Sequence, residues 1–127
     1  MMMNWLSQYS DYGGGCWHYF FIPEGAEDKI APHTHARLKA TGYNSPDFEG
    51  IYKMCVPVNY FEADICADAA GIISPLMILN IISWKGSEMG EKYTHTCQRL
   101  VERQNALKYY ISITKHPEVN SIYRAIN

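Results

Sequence analysis

The stretch AAGIISPLMILNIISW, residues 69–84, decides the fold because it is the most apolar run in the chain. Within it, Ser74 followed by Pro75 is a helix start signal, since a capping hydroxyl precedes a proline at the first helical position. We expect this helix to run to about Lys85 and to end at Gly86. Its side chains are apolar on nearly every side, which indicates burial in the core. The run is too short to span a bilayer, so we expect no membrane association.

A second helix is expected immediately before this run. Asn59 and Glu62 have the spacing of an N-cap and its reciprocal partner. Gly71 suits the C-cap of the same helix, because glycine readily adopts the left-handed conformation found there. Residues 60–70 should therefore be helical.

After the apolar run, the segment from Glu91 to about Thr114 has the clearest helical period in the chain. Its seam residues recur at spacings of four and three, which is the pattern of helix–helix packing. This predicts the longest helix of the chain over about 91–114, and a homodimer through the seam over 93–111 is one possible consequence. The seam consists of Tyr93, Cys97, Leu100, Gln104, Leu107 and Ile111.

The half of the chain before these helices has the pattern of short strands. WHYFFI, residues 17–22, is aromatic and bounded by glycine and proline, and IYKMCVPV, residues 51–58, alternates moderately. Strands followed by helices predict an α+β domain. We expect a single domain over residues 1–127, with a small N-terminal antiparallel sheet and a C-terminal helical half of three to four helices.

Charge and cysteine content limit the classes of function. The 127 residues carry a formal net charge of −2, without the basic surplus typical of proteins that bind a phosphate backbone. The charge is uneven, with a net −5 over residues 1–84 and +3 over residues 85–127. The four cysteines form no CxxC pair and no secretory signal precedes them, which favours a reducing, cytoplasmic location.

Histidine and cysteine recur at a spacing of two in the N-terminal half. His33 and His35 point to the same face if their segment is extended, so both imidazoles can reach one ion. Cys16 and His18 form a second pair, and pairing of the two segments as strands would assemble a zinc site of one cysteine and three histidines. We favour exposed loop histidines and expect no cofactor, with zinc as the alternative.

Cys16 also lies in the stretch GGGCW, residues 13–17, which resembles the nucleophile segment of papain-like cysteine hydrolases. The resemblance implies a thiolate nucleophile at Cys16. Such a nucleophile needs a nearby base, which His33, His35 or His95 could supply. It covers about five residues and lacks the second cysteine of that motif. A glycine turn that leads into a strand explains the same residues. A small metal-dependent or cysteine-thiol hydrolase is therefore the alternative to a non-enzymatic function.

Acid–base candidates elsewhere are few. Asp64 and Asp68 lie four residues apart, and paired carboxylates can bind divalent cations or transfer protons. On an acidic helix such a pair is more often an exposed polar edge, which is the interpretation that we favour. The sequence contains no phosphate loop, dinucleotide fingerprint, nucleophile elbow or HExxH motif, and this excludes several large enzyme classes.

The predicted long helix carries a basic stripe beside its seam. Lys92, Arg99, Arg103 and Tyr110 could accept phosphates and stack a base, so a nucleic-acid-binding protein is the second alternative. Glutamates on the same helix and the acidic N-terminal half dilute this positive field. A helix surface that faces solvent or an acidic protein explains the same residues.

Ten tyrosines and three tryptophans exceed what a core of this size requires. Trp5, Tyr9, Tyr12 and Tyr43 lie in glycine-rich segments that resemble protein surface, and such side chains dominate the hot spots of protein interfaces. Aromatic rings that cover one small sheet are the alternative explanation. We therefore predict a small non-enzymatic protein that binds another macromolecule, with a protein as the expected partner. It would act as an inhibitor or adaptor, using these aromatics and the basic stripe. Its size would suit a protein encoded by a phage or mobile element.

Overall fold

The structure, a computed structural model, describes residues 2–13, 17–33, 36–46 and 50–127, with side chains described from Trp5 onward. Within these ranges the chain forms five helices and four strands. In chain order they are α1 (Met2–Tyr9), β1 (His18–Ile22), α2 (Glu27–Ile30), β2 (Thr41–Ser45), β3 (Ile51–Val56), β4 (Phe61–Cys66), α3 (Ala67–Glu88), α4 (Thr94–Ile113) and α5 (Val119–Ile126). Short 3₁₀ turns precede β4 and α4, at Pro57–Asn59 and Glu91–Tyr93.

The strands form two small antiparallel sheets of two strands each. In the first, β1 pairs with β2, and Phe20 lies opposite Tyr43. In the second, β3 pairs with β4, and Lys53 lies opposite Asp64. Helices α3, α4 and α5 follow the strands, so the prediction of an α+β fold with a helical C-terminal half is confirmed.

Helix α3 lies at the centre of the fold. It packs against α1, α4 and α5 and against strands β2, β3 and β4. Ile72 and Ile73 are 0% exposed and Leu76 is 2% exposed. The helix has 22 residues and is long and apolar enough to cross a membrane, but 56% of its most apolar window is buried inside the fold. Such burial is typical of the core helix of a globular domain.

The prediction of a helix over residues 60–70 is wrong. Phe61–Cys66 form strand β4, in which burial alternates and places Phe61 and Ile65 in the core. Alternation of apolar and polar residues with period two favours a strand over a helix. Asn59 caps no helix, because its side-chain amide donates to the carbonyl of Ala125 at 2.6 Å and ties the β3–β4 turn to α5.

Helix α3 begins earlier than the sequence predicts. It begins at Ala67 and ends at Glu88, so Pro75 lies inside it and the predicted start at Ser74 is wrong. The sulfur of Cys66 caps the helix by accepting the amide hydrogen of Ala69, with 3.4 Å between nitrogen and sulfur. This cap satisfies one of the free amides that every helix has in its first turn.

Gly71 is an interior residue of α3 and not a C-cap. A Cβ atom at this position would overlap the backbone of strand β2 at Asn44 and Ser45. The glycine is needed because it lets α3 and β2 approach more closely than any residue with a side chain would allow.

Helix α4 confirms the helical period of the C-terminal segment, but it is not the longest helix. It has 20 residues against 22 in α3, so the prediction for residues 91–114 is wrong on that point. The C-terminal half of the seam, at Gln104, Leu107 and Ile111, is buried within the fold. This half is therefore not available to a second copy of the chain.

Candidate interaction surface

Three of the four aromatic residues expected at the surface lie in the core. Trp5, Tyr12 and Tyr43 are 8%, 6% and 7% exposed. Tyr9 is half-buried against Trp5, with 4.8 Å between the ring centroids. The interpretation of these aromatic residues as surface residues is therefore wrong. Helix α1, which the sequence did not predict, packs against α3 and brings Trp5 inward.

Cys16 and His35 lie outside the residues that the structure describes, so the zinc site and the cysteine nucleophile stay predictions. His18 is exposed on β1, and His33 is exposed in the turn after α2. Strand β1 pairs with β2 and not with the segment that carries His33. Across the described ranges, no group of three or more histidine, cysteine, aspartate or glutamate side chains is placed to hold a metal ion.

A polar cluster that no local sequence pattern indicates joins three parts of the fold. Asp68, in the first turn of α3, accepts hydrogen bonds from the Tyr43 hydroxyl at 2.8 Å and from His116 Nε2 at 2.7 Å. His116 Nδ1 accepts the backbone amide hydrogen of Glu118 at 3.0 Å. The Glu118 carboxylate accepts the amide hydrogen of Cys66, also at 3.0 Å. The cluster ties β2, the start of α3 and the α4–α5 connection together.

The surroundings of the cluster set the protonation of its members. Burial acts to raise the pKa of Asp68, but the hydrogen bonds from His116 and Tyr43 outweigh it and hold this pKa below its usual value. Burial, and then the neighbouring Asp68, raise the pKa of the Tyr43 hydroxyl, which therefore stays protonated. Burial also raises the pKa of the Cys66 thiol to about 11, so this cysteine is not a thiolate near neutral pH.

The cluster contains an aspartate–histidine pair, but both ring nitrogens of His116 are engaged. Neither can take a proton from a substrate unless a hydrogen bond of the cluster breaks, and we therefore assign the cluster a structural role. Its partners Tyr43 and His116 lie 25 and 48 positions from Asp68, so no local spacing signals it. Asp64 does not share a helical face with Asp68, because it lies exposed on β4.

An open groove runs between the C-terminal end of α3 and the N-terminal half of α4. Its volume is about 780 Å³. Most of the side chains that line it are small or uncharged, which leaves room between the two helices. We call this feature the α3–α4 groove. The residues that line it are Asn80, Ser83, Trp84, Ser87, Gly90, Glu91, Thr94, Cys97, Gln98, Val101 and Glu102.

Close contacts between α3 and α4 hold the walls of the α3–α4 groove in place. The Cys97 thiol donates to the carbonyl of Ser83 at 3.6 Å, and Gln104 Nε2 donates to the Ser83 hydroxyl at 3.2 Å. A Cβ atom at Gly86 would lie 2.7 Å from the Cys97 sulfur, so the glycine lets the two helices meet here. A groove that is already formed costs a partner less ordering on binding.

Large apolar side chains are exposed in and beside the α3–α4 groove. Trp84 is 66% exposed and Val101 is 43% exposed, and both line the groove. Ile81, in the C-terminal part of α3, is 42% exposed. Met89, which follows the last residue of α3, is 61% exposed. Exposed apolar side chains that lie together mark interaction sites, and tryptophan is among the residues most enriched in binding hot spots.

The fold divides the predicted basic stripe. Lys92, Arg99 and Arg103 are exposed, as expected. Tyr110 is half-buried, and its ring centroid lies 6.5 Å from that of the buried Tyr43. The stripe therefore keeps its cations at the surface and loses its exposed aromatic ring.

Comparison with known proteins assigns a family to this chain. A family model described as antirestriction protein matches residues 10–127. The chain is 28% identical to the putative antirestriction protein YubI of Escherichia coli strain K12, over 92% of this chain and 69% of that protein. It is 27% identical to an antirestriction protein KlcA of Escherichia coli, over 100% of this chain and 73% of that protein.

One solved structure is similar along nearly the whole chain, with a TM-score of 0.68 and 27% sequence identity. The similarity covers 99% of this chain and 74% of the other. That structure belongs to work on the KlcA and ArdB proteins, which show a novel fold and antirestriction activity against Type I DNA restriction systems in vivo but not in vitro. Because the family model spans residues 10–127, the chain belongs to the antirestriction protein family.

Proposed function

We propose that the protein inhibits a DNA restriction system by binding one of its protein components at the α3–α4 groove. The family supports the class of activity, and the exposure of Trp84 is the single observation that carries the mode of action. Exposed side chains contribute little to the stability of a fold. A tryptophan that is 66% exposed beside the exposed Val101 is best explained by contact with a partner.

A Type I restriction system is the target that we propose. The similar KlcA and ArdB proteins are active against Type I systems in vivo. Type I systems are protein complexes, so an inhibitor can act on them by occupying a protein surface. A groove between two helices is suited to this role because a partner segment can lie along it and place apolar side chains inside.

Charge favours a protein over DNA as the direct ligand of the α3–α4 groove. The chain carries a net charge of −2, and Glu91 and Glu102 line the groove. Duplex DNA carries one negative charge about every 1.7 Å, so these carboxylates repel it. A protein partner can instead place uncharged or basic groups opposite them.

The proposed function is tested in cells, because the similar proteins act in vivo but not in vitro. Cells with and without a Type I restriction system produce either the protein or only the empty vector, and an unmodified phage is plated on them. We expect the protein to raise the efficiency of plating at least roughly tenfold in restricting cells, because each blocked restriction complex spares incoming DNA. Non-restricting cells serve as the control and should plate the phage equally with and without the protein.

Equal plating on restricting cells with the protein and with the empty vector would contradict the proposed function, provided that the folded protein is present in those cells. A phage that already carries the host modification separates relief of restriction from any general effect on phage growth. It should plate equally on all of these cells.

A further inference from the structure

A basic corner lies beside the α3–α4 groove. Lys39, Arg99 and Arg103 line a pocket of about 430 Å³, and we call these three residues the basic corner. Glu102 lines both this pocket and the groove, so the two form one continuous surface. The corner combines residues from the segment before β2 with residues from α4.

The described neighbours of the basic corner offset only part of its charge. Arg99 and Arg103 lie one turn apart on α4, so their positive charges repel each other. Neither guanidinium makes an ion pair within the described ranges. Lys39 Nζ lies 4.0 Å from a carboxylate oxygen of Glu24, and the guanidinium of Arg37 is closer to the same oxygen, at 3.5 Å. The corner is therefore a local positive excess in a chain of net charge −2.

We propose that the basic corner binds carboxylate side chains of the same partner protein whose apolar residues occupy the α3–α4 groove. This inference rests on the proposed function. The planar guanidinium groups of Arg99 and Arg103 match the geometry of a carboxylate and can bind it through two parallel hydrogen bonds. Bound carboxylates also relieve the repulsion between the two arginines, neither of which makes an ion pair within the described ranges. An apolar centre with charged groups at its rim is the usual composition of a protein interface.

A carboxylate fits the basic corner better than a phosphate of DNA. Glu102 lies in the pocket itself, and Glu91 lies in the adjoining groove. A DNA backbone that reaches Arg99 carries further phosphates at short, regular intervals, so it would bring negative charge against these carboxylates. A protein segment can present a single carboxylate between apolar side chains and so avoid this repulsion.

The double substitution Arg99→Glu and Arg103→Glu tests the basic corner in the plating assay. The matched control is Lys29→Glu with Lys115→Glu, which changes the net charge equally at two exposed lysines outside the corner. We expect the corner variant to relieve restriction at least roughly tenfold less than the wild type, because its two new glutamates then face the carboxylates of the partner. The control should protect as the wild type does. Both variants should unfold within about 4 °C of the wild type, because all four positions are exposed.

Two further measurements identify the ligand of the basic corner. In restricting cells that produce the corner variant, mutations in the restriction subunits can restore the relief. We expect these mutations to replace Asp or Glu by Lys or Arg. The mutated restriction system should still restrict DNA when the protein is absent. In vitro, anisotropy of a labelled DNA duplex of about 30 base pairs should show no binding that depends on Arg99 and Arg103.

Each result separates the inference from the proposed function. If the wild type gives no relief, the proposed function fails and the inference fails with it. If the wild type and the corner variant protect equally, the corner inference fails and the proposed function stands. Binding of the duplex by the wild type, lost in the corner variant, would make DNA phosphate the ligand and overturn the carboxylate assignment. Subunit mutations that restore relief without replacing any Asp or Glu would also overturn the carboxylate assignment.

Discussion

Asp68 shows how a single carboxylate connects distant parts of this chain. It accepts hydrogen bonds from Tyr43 and His116, and its side chain is 39% exposed. We predict that Asp68→Asn lowers the free energy of unfolding at pH 7 by about 1 kcal/mol. This is less than the roughly 1.5–3 kcal/mol typical of hydrogen bonds to a charged group, because Asp68 is partly exposed to solvent. Chemical denaturation of both proteins measures the difference.

The effect of Asp68→Asn on the free energy of unfolding should depend on pH. The folded state holds the pKa of Asp68 below its usual value, so the charged form stabilises the fold at neutral pH. This contribution is lost as the pH falls below about 4 and passes through the lowered pKa. The difference between the wild type and Asp68→Asn should therefore shrink at acidic pH. The control is Asp64→Asn, which changes an exposed carboxylate on strand β4. A stability difference between the wild type and Asp68→Asn that does not change with pH would contradict this explanation.

The sequence correctly predicts the exposure of charged residues but not that of aromatic residues. Arg99 and Arg103 are exposed as predicted, because an unpaired guanidinium is costly to bury. Trp5, Tyr12 and Tyr43 are buried, since long-range packing against α3 decides the position of an aromatic ring. The Asp68 cluster could not be predicted, because its members meet only after the chain has folded.

The contact between helix α3 and strand β2 depends on Gly71. We predict that Gly71→Ala lowers the free energy of unfolding by roughly 1–3 kcal/mol, because the added methyl group overlaps the β2 backbone at Asn44 and Ser45 and forces the two elements apart. Thermal or chemical unfolding measures this loss. Gly13→Ala is the control, since a Cβ atom there meets nothing within 4 Å. Equal stability of both variants would show that α3 and β2 do not pack in this way.

Local patterns predict some elements and mislead at others. Strands β1 and β3 form where aromatic and alternating residues predict them, and α4 follows its helical period. The spacing of Asn59 and Glu62 resembles a capping box, yet the alternating burial of Phe61 and Ile65 against the core outweighs this local signal. Pro75 would begin a helix in isolation, but the preceding residues Ile72 and Ile73 pack in the core as part of α3, so the helix extends through it.

We predict that the protein is a monomer in solution. Leu107 and Ile111, in the C-terminal half of the α4 seam, already pack within the chain, so a dimer through the full seam would require the core to open. Light scattering coupled to size-exclusion chromatography should give a mass close to 14.6 kDa. A stable species of twice this mass would contradict this prediction.

If restriction is relieved through the α3–α4 groove, the substitution Trp84→Ala should weaken that relief. Its matched control is Phe21→Ala, which removes an aromatic ring of similar exposure, 63% against 66%, from strand β1. Both variants should unfold within about 4 °C of the wild type. We predict that Trp84→Ala loses at least roughly tenfold of the relief in the plating assay, as expected for a hot-spot tryptophan, and that Phe21→Ala keeps it. Full relief by a folded Trp84→Ala protein would contradict the assignment of function to this groove.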